Sequence, residues 1–177
     1  SDLAQERAPG YVATVWNREE FSGDLRIEFD AQVVASSMDV NNINFFLNYS
    51  HPSPDSTLYE TRQSRADASY AYYHELNGYI FTFVKSGQRE ENQARFRMRR
   101  CPGFELIDEN HAFNSEEGRT YHITILKEGN RLTYIVDGTA FLQSKDEKYN
   151  WKEGLAGIRT FHTDLWIDNF TVTRPNQ

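Results

Sequence analysis

Apolar and polar side chains alternate along most of this chain, and a period of two predicts β-strands rather than helices. In residues 24–34 the apolar positions 25, 27, 29 and 31 share one face, while charged side chains occupy the other. The same alternation over residues 42–50 assigns Tyr49 to the face of Ile43, Phe45 and Leu47. Both segments are therefore predicted to be strands with one face turned toward a core.

The remaining alternating segments bring the prediction to about twelve strands, with no helix longer than a turn or two. They are residues 11–16, 93–100, a three-strand meander over 119–143, and two strands over 153–174. The pair Asn77-Gly78 predicts a hairpin turn between strands at 69–76 and 79–86, because a type I′ turn needs positive φ at both central residues.

A polar stretch over residues 51–68 interrupts the alternation. Its two prolines and weak periodicity indicate a long loop with at most one helical turn, and loops of this length often serve function. No linker divides residues 11–177, which we interpret as a single β-sandwich domain after an N-terminal arm at residues 1–10. The predicted fold is all-β, an antiparallel two-sheet sandwich.

Composition narrows the classes of function. The net charge of −7 argues against nucleic-acid binding, which requires a basic surface, and no apolar run is long enough for a transmembrane helix. Aromatic residues make up 14% of the chain, which favours strands and supplies rings for a ligand. We expect a secreted or periplasmic protein, with a cytoplasmic location as the alternative.

Three segments carry a resemblance to a known family. They read NINFFLNYS (42–50), RFRMRRCPG (95–103) and GIRTFHTDLWIDNF (157–170). Together with the meander they resemble the concanavalin A-like lectin/glucanase jelly rolls and, more narrowly, the YesU-like bacterial proteins associated with polysaccharide utilisation. The resemblance implies a groove for a glycan chain on a concave sheet face, and it implies no catalytic residues.

The chain concentrates arginine on one short segment. Its 19 basic residues are 14 Arg and 5 Lys, and Arg95, Arg97 and Arg99 share one face of a predicted strand at spacings of about 7 Å, with Arg100 on the other face. Guanidinium groups in a row suit bidentate binding of a carboxylate or sulfate. The alternative is that they pair with acids such as Glu28 and Asp30 on an outer face.

Histidine and its neighbours supply candidate acid–base chemistry near neutral pH. His74 is the strongest candidate, because Tyr72 is in phase with it in the predicted strand. We predict catalytic roles for His74, Tyr72 and Arg97. The predicted substrate-binding residues are Asn44, Asn48, Arg95, Arg99, Arg159 and His162. A structural role is the alternative for each of them.

Carboxylates bear on the hydrolase hypothesis. The Glu-x-Asp-x-x-Glu strand motif of glycosidases with the resembled fold is absent, and Glu28 and Asp30 form the nearest in-phase pair. A uronate lyase would instead need arginine or amide groups to neutralise a sugar carboxylate and Tyr or His to take a proton. The chain supplies those residue types but lacks the strand motifs of jelly-roll alginate lyases.

The sequence thus predicts a protein that acts on an acidic polysaccharide or its oligosaccharides, as a glycoside hydrolase or a uronate lyase. A non-catalytic carbohydrate-binding module is the alternative. No cofactor is expected, although Asp168 and Asn169 could support a structural calcium ion. Neither nucleic acid nor a membrane is expected as a partner, and the oligomeric state stays open.

Overall fold

Two antiparallel sheets stack face to face in the computed structural model, which describes residues 12–85 and 94–175. The predicted N-terminal arm, residues 1–10, lies outside the described residues. The strands are β1 (Val12–Trp16), β2 (Phe21–Ser22), β3 (Leu25–Ser36), β4 (Ile43–Ser50), β5 (Asn77–Phe83), β6 (Phe96–Cys101), β7 (Glu105–Asn110), β8 (Thr120–Glu128), β9 (Arg131–Val136), β10 (Thr139–Lys145), β11 (Glu153–Phe161) and β12 (Thr163–Thr173). A 3-10 helix (Arg62–Arg65) and a one-turn helix α1 (Ala71–His74) lie between β4 and β5.

The larger sheet has seven strands in the order β1-β11-β4-β5-β6-β7, with β2 also paired to β11. The smaller sheet has the order β10-β9-β8-β3-β12. Every ladder between these strands is antiparallel. This confirms the predicted all-β, two-sheet jelly-roll sandwich.

The main core fills the space between the sheets. In β3 the predicted inward residues Leu25, Ile27, Phe29 and Ala31 are all buried there. Aromatic rings dominate one end, where Phe96 stacks on Phe83 with ring centroids 4.4 Å apart and on Phe141 at the same separation. The inward faces therefore bury many large rings, and their close packing stabilises the contact between the two sheets.

A second apolar cluster lies on the opposite, outer face of the seven-stranded sheet. Its buried members are Phe46, Tyr49, Leu58, Tyr73, Leu76, Ile80 and Cys101. Three of them belong to the segment between β4 and β5, so the predicted long loop folds back and covers part of this face. The loop and its single helical turn at residues 62–65 are confirmed.

The predicted hairpin at Asn77-Gly78 is wrong. These two residues begin β5, and the segment before them forms helix α1 instead of a strand. Tyr70, Tyr73 and His74 have the spacing i, i+3, i+4, which places all three on one side of a helical turn. Packing of those rings on the outer face of the sheet therefore prevails over the local turn preference.

The predicted direction of Tyr49 is also wrong. Asn48 adopts a left-handed conformation with φ of 52°, and the pairing of β4 with β5 shifts between Leu47 and Ser50. An extra residue in one strand reverses the alternation beyond it. Tyr49 consequently leaves the face of Leu47 and packs in the outer cluster.

Candidate functional site

Polar side chains from six neighbouring strands align across the outer face of the seven-stranded sheet. Cross-strand partners follow one another in the order Thr14, Arg159, Asn44, Thr82, Arg97 and Glu109. We call these six residues the polar row. Strands lie about 4.8 Å apart, so Arg159 and Arg97 are separated by about 14 Å along it.

A second row runs beside the polar row and is mostly apolar. Its members, again cross-strand partners in order, are Trp16, Gly157, Phe46, Ile80, Arg99 and Leu106. Trp16 lies directly on Gly157, where an added Cβ would come within 2.5 Å of the indole ring. Helix α1 packs on this second row through Tyr73, so α1 and the long loop before it form one wall along the polar row.

His74 is held in that wall by aromatic contacts. Its ring stacks on Phe104 with centroids 3.6 Å apart and meets the ring of Tyr70 edge-on at 4.5 Å. Burial, together with the positive charges of Arg99 and Arg159, lowers the pKa of His74 to about 4. The imidazole is therefore neutral at neutral pH, and its Nε2 atom is buried with no hydrogen-bond partner among the described residues.

Arg99 occupies the other side of the Phe104 ring. Its guanidinium carbon lies 4.1 Å from the ring centroid, and Nη1 donates to the Phe104 carbonyl oxygen at 3.0 Å. Arg159 is 2% exposed and donates to the carbonyl oxygens of Thr160 and Ala68. Neither arginine forms an ion pair with a carboxylate of the described residues.

Tyr70 and Asn44 connect the wall to the polar row. Asn44 Nδ2 donates to the Tyr70 hydroxyl at 3.1 Å, while the Asn44 side-chain oxygen is buried and without a partner among the described residues. Arg159 stacks over the same ring at 4.7 Å. Burial raises the pKa of the Tyr70 hydroxyl, although Asn44 and Arg159 oppose that shift.

Several predicted site residues come together here. His74, Arg99, Asn44 and Arg159 surround Tyr70 and Phe104, and Arg97 lies on the same face beside Thr82. The polar row and these rings thus combine permanent positive charge, a neutral imidazole and an amide. Such a surface can bind an anionic group and donate hydrogen bonds to neighbouring hydroxyls.

The other predicted site residues lie elsewhere. Asn48 is fully buried at the β4 bulge and donates to the Phe21 carbonyl, and the Tyr72 side chain turns outward and is 43% exposed. His162 sits at the turn from β11 to β12 beside the Ser37 hydroxyl. Arg95 precedes β6 and donates to Asn114. No described contact joins these four residues to His74.

The pairing of these arginines with Glu28 and Asp30, offered as examples of the alternative, is wrong. Glu28 and Asp30 lie on the five-stranded sheet, where His122 bridges them with ring nitrogens 3.3 Å and 2.8 Å from their oxygens. Arg26 completes the Glu28 pair and lowers the pKa of that carboxyl to about 2. These acids therefore cannot neutralise Arg97 or Arg99, which belong to the other sheet.

Sequence reasoning missed Tyr70, Phe104, Thr14 and Thr82. The helical spacing of Tyr70, Tyr73 and His74 was the signal that could have located the first of them. Phe104 follows the Pro-Gly turn after β6, with φ of 54°, and only the fold brings it over His74. The two threonines join the polar row through strand pairing that no local pattern specifies.

The described ranges also bear on metal sites and membrane-spanning helices. Residues 12–85 and 94–175 contain no group of three or more His, Cys, Asp or Glu side chains arranged to hold a metal ion. Within the same ranges, no helix is long and apolar enough to cross a membrane. Asn169 donates to Asp30 at 2.7 Å, and the predicted calcium role of Asp168 and Asn169 stays a prediction.

Solved structures share the fold of this chain, and several of them are described as carbohydrate-binding or carbohydrate-cleaving proteins. A protein of unknown function with a galectin-like fold from Bacillus subtilis matches with a TM-score of 0.68 at 14% identity, covering 92% of this chain and 77% of its own. The carbohydrate binding module CBM66 from Bacillus subtilis gives 0.61 at 15% identity, covering 91% and 81%. A protein provisionally assigned as a glycosyl hydrolase from Parabacteroides distasonis gives 0.57 at 8% identity, covering 92% and 76%.

These structural matches show the fold, and the narrower resemblance to the YesU-like proteins stays a prediction. A search of curated proteins found no match. The model of DUF6250, described as a domain of unknown function, matches residues 9–170. Because this match spans nearly the whole chain, the protein belongs to the DUF6250 family.

Proposed function

We propose that this domain binds an acidic polysaccharide, or oligosaccharides derived from it, along the polar row of the seven-stranded sheet. The observation that carries the proposal is the state of Arg99 and Arg159. Both guanidinium groups are held by carbonyl oxygens and aromatic rings, with no ion pair to a described carboxylate. A carboxylate or sulfate on a sugar would supply an ion-pair partner for these guanidinium groups.

Three arginines elsewhere in the molecule have a different environment. Arg26, Arg100 and Arg119 each pair with a carboxylate at 3.0 Å or less. Arg159, by contrast, is buried and has no such partner among the described residues. A buried guanidinium without a counter-ion is destabilising, so the environment of Arg159 supports a binding role.

Aromatic and amide groups beside these arginines suit the rest of a sugar. Tyr70, Phe104 and His74 offer ring surfaces, and the unpartnered atoms of Asn44 and His74 are those that a hydroxyl or a water molecule would satisfy. The lectin-like fold of CBM66, a carbohydrate binding module, supports the same class of ligand.

A uronate lyase is the second candidate, favoured by the contact between Tyr70 and His74 beside Asn44. Elimination needs groups that stabilise the enolate-like anion and a base for the sugar proton. Asn44 and Arg159 would serve the first need, and Tyr70 or His74 the second. A hydrolase has less support, because Glu109 is the single carboxylate of the polar row.

The test measures binding of purified protein to matched polymers, polygalacturonate and alginate against neutral galactan, by calorimetry at fixed low salt. Acidic polymers should bind, and Arg99→Gln should weaken binding at least tenfold, since charge-assisted hydrogen bonds contribute about 1.5–3 kcal/mol each. His74→Ala and Arg97→Ala should also weaken it. Ultraviolet absorbance of unsaturated uronate and reducing-end release, read in parallel, separate elimination and hydrolysis from binding.

The matched control is Arg131→Gln, an exposed arginine at the start of β9 on the other sheet. It removes the same charge from the molecule and should leave affinity unchanged. Equal binding of neutral and acidic polymers, or equal loss in Arg131→Gln and Arg99→Gln, would contradict the proposal. Circular dichroism of each variant shows whether a loss reflects unfolding.

A further inference from the structure

A cavity of about 620 Å³ opens at the edge of the seven-stranded sheet, between β1 and the long loop. Its lining includes Thr14, Arg18, Tyr59, Arg62, Arg65 and Tyr73. Its volume lies within the range of small-molecule sites, about 300–1,000 Å³. Thr14 is also the first residue of the polar row, so the cavity begins where that row ends.

Three arginines give this cavity a positive lining. Arg62 donates to the Tyr59 carbonyl at 2.8 Å and stacks on the Tyr59 ring at 3.9 Å. Arg65 donates to the Thr61 hydroxyl at 3.0 Å and to the Leu58 carbonyl. None of the three arginines forms an ion pair with an acid of the described residues.

The acid nearest in sequence is directed to the loop itself. The Glu60 carboxylate accepts hydrogen bonds from the Thr57 amide and hydroxyl, both at 2.9 Å. Each of Arg62 and Arg65 has donors left, because a guanidinium carries five N–H groups in a fixed fork. The cavity therefore presents unused planar donors, and its lining within the described residues contains no acidic side chain.

Two buried polar groups point to a ligand in this space. Arg65 is only 9% exposed, and burial lowers the pKa of its guanidinium. Thr14 Oγ1 is buried without a hydrogen-bond partner among the described residues. Buried charge and unpaired hydroxyls both destabilise a fold unless something satisfies them, and an oxyanion would satisfy both kinds of group.

Two tyrosine rings, Tyr59 and Tyr73, line the cavity beside these arginines and suit a ligand that also carries a flat ring. The Tyr59 side chain is 71% exposed and pre-ordered by the Arg62 stack, which leaves its other face for a flat partner. Tyr73 lines the cavity and also lies 5.5 Å from Arg159, so one ring separates the cavity from the polar row. A ligand in the cavity would thus sit next to a chain lying along that row.

We infer that this cavity is a separate subsite for an oxyanion-bearing sugar residue, with Arg62 and Arg65 on the anion and Tyr59 against the sugar ring. The sugar part of the inference rests on the proposed function, whereas the oxyanion part does not. The anion could belong to a uronate carboxylate or a sulfate ester, since both match the arginine fork.

The test follows the indole N–H signal of Trp16, which also lines the cavity, by NMR in the full 177-residue protein. Trp16→Phe assigns the signal among the three tryptophans. The probes are galacturonate, galactose 6-sulfate, galactose and inorganic sulfate. We expect at least one acidic sugar to shift Trp16, Arg62→Gln to weaken that binding at least tenfold, and Arg131→Gln to leave it unchanged.

The inference is overturned if Trp16 is unaffected, if galactose binds as well as both acidic sugars, or if Arg62→Gln has no effect. Inorganic sulfate binding as tightly as the sugars would reject the sugar subsite and leave an adventitious ion only. Arg99→Gln keeps the two proposals apart. It should weaken polymer binding at the polar row at least tenfold, while the Trp16 response to the small acidic sugar persists.

Discussion

The environment of one side chain, His74, determines what the candidate site can do near neutral pH. Its imidazole stacks on Phe104 and meets Tyr70, and burial keeps its pKa near 4. A histidine in this state donates or accepts hydrogen bonds without carrying charge. It can therefore stand among Arg97, Arg99 and Arg159 without adding to their repulsion.

This pKa has a consequence for stability that can be measured. The folded-state pKa lies below the unfolded value, so the unfolded chain binds the proton first as pH falls. The His74 contribution to the free energy of unfolding is therefore present above pH 6.5 and is lost between pH 6.5 and about 4. Urea unfolding across this window should show a smaller decline in His74→Gln than in the wild type.

The pKa of His122 is shifted in the opposite direction from that of His74. Hydrogen bonds to Asp30 and Glu28 raise its pKa, so its contribution is present below pH 6.5 and is lost as pH rises through the folded value. His122→Gln should thus change the profile on the alkaline side of pH 6.5. Identical acid slopes in the wild type and His74→Gln would show that the imidazole is not desolvated.

Single residues also mark where sequence reasoning failed. Alternation placed the inward residues Leu25, Ile27, Phe29 and Ala31 of β3 correctly, because this part of the strand pairs with β8 in an unbroken register. It failed at Tyr49, because Asn48 takes a left-handed conformation that inserts a bulge. Asparagine tolerates this conformation better than most residues, but its identity alone does not say which asparagine will use it.

At the scale of strands and their connections, buried polar side chains hold the connections in place. The clearest anchor is Asp146, which follows β10 and is fully buried. Its carboxylate accepts from the Tyr79 hydroxyl at 2.8 Å, from Arg100 at 2.9 Å, and from the backbone amides of residues 148, 149 and 150. This single group ties the connection into β11 to strands β5 and β6.

We expect Asp146→Asn to destabilise the protein by about 3 kcal/mol, because removing one member of a buried charged network leaves the others unpaired. Chemical denaturation at pH 7 measures the loss. Glu105→Gln is the control, since Glu105 pairs with the same arginine at the surface and its removal should have a much smaller effect. Equal losses in the two variants would contradict the role assigned to Asp146.

The limits and order of the strands explain why the positions of Arg95, Arg97 and Arg99 could be predicted only in part. Strand alternation put Arg97 and Arg99 on one face, and the sheet pairing supports that prediction. Arg95 lies before the strand begins, so it turns toward Asn114 instead. Which acids would face the arginines depended on the order of strands in two sheets, and a sequence pattern does not contain that order.

For the molecule as a whole, the fold was predictable and the cover of its outer face was not. Alternation, turn residues and composition were sufficient for an antiparallel two-sheet sandwich, because each signal is local, and the family resemblance implied the jelly roll. The segment 51–68 was recognised only as a loop, and the residues 69–76 after it were predicted as a strand. The return of both segments over the sheet arises from long-range packing of Leu58, Tyr73 and Leu76 on Phe46 and Ile80, which creates both the wall of the polar row and the edge cavity.

Two cores on opposite faces of one sheet should unfold with different ease. Leu58 is 5% exposed and belongs to the outer cluster, so Leu58→Ala should cost about 3 kcal/mol of local packing. Because few strands depend on that cluster, the loss should appear as local opening. Hydrogen exchange by mass spectrometry should accelerate over residues 51–76 and stay unchanged in β3 and β8.

Ile125→Ala, in the main core, should instead accelerate exchange throughout both sheets. Global acceleration in Leu58→Ala would mean that the loop is an integral part of the sandwich, and the candidate site could not then change shape without unfolding the domain.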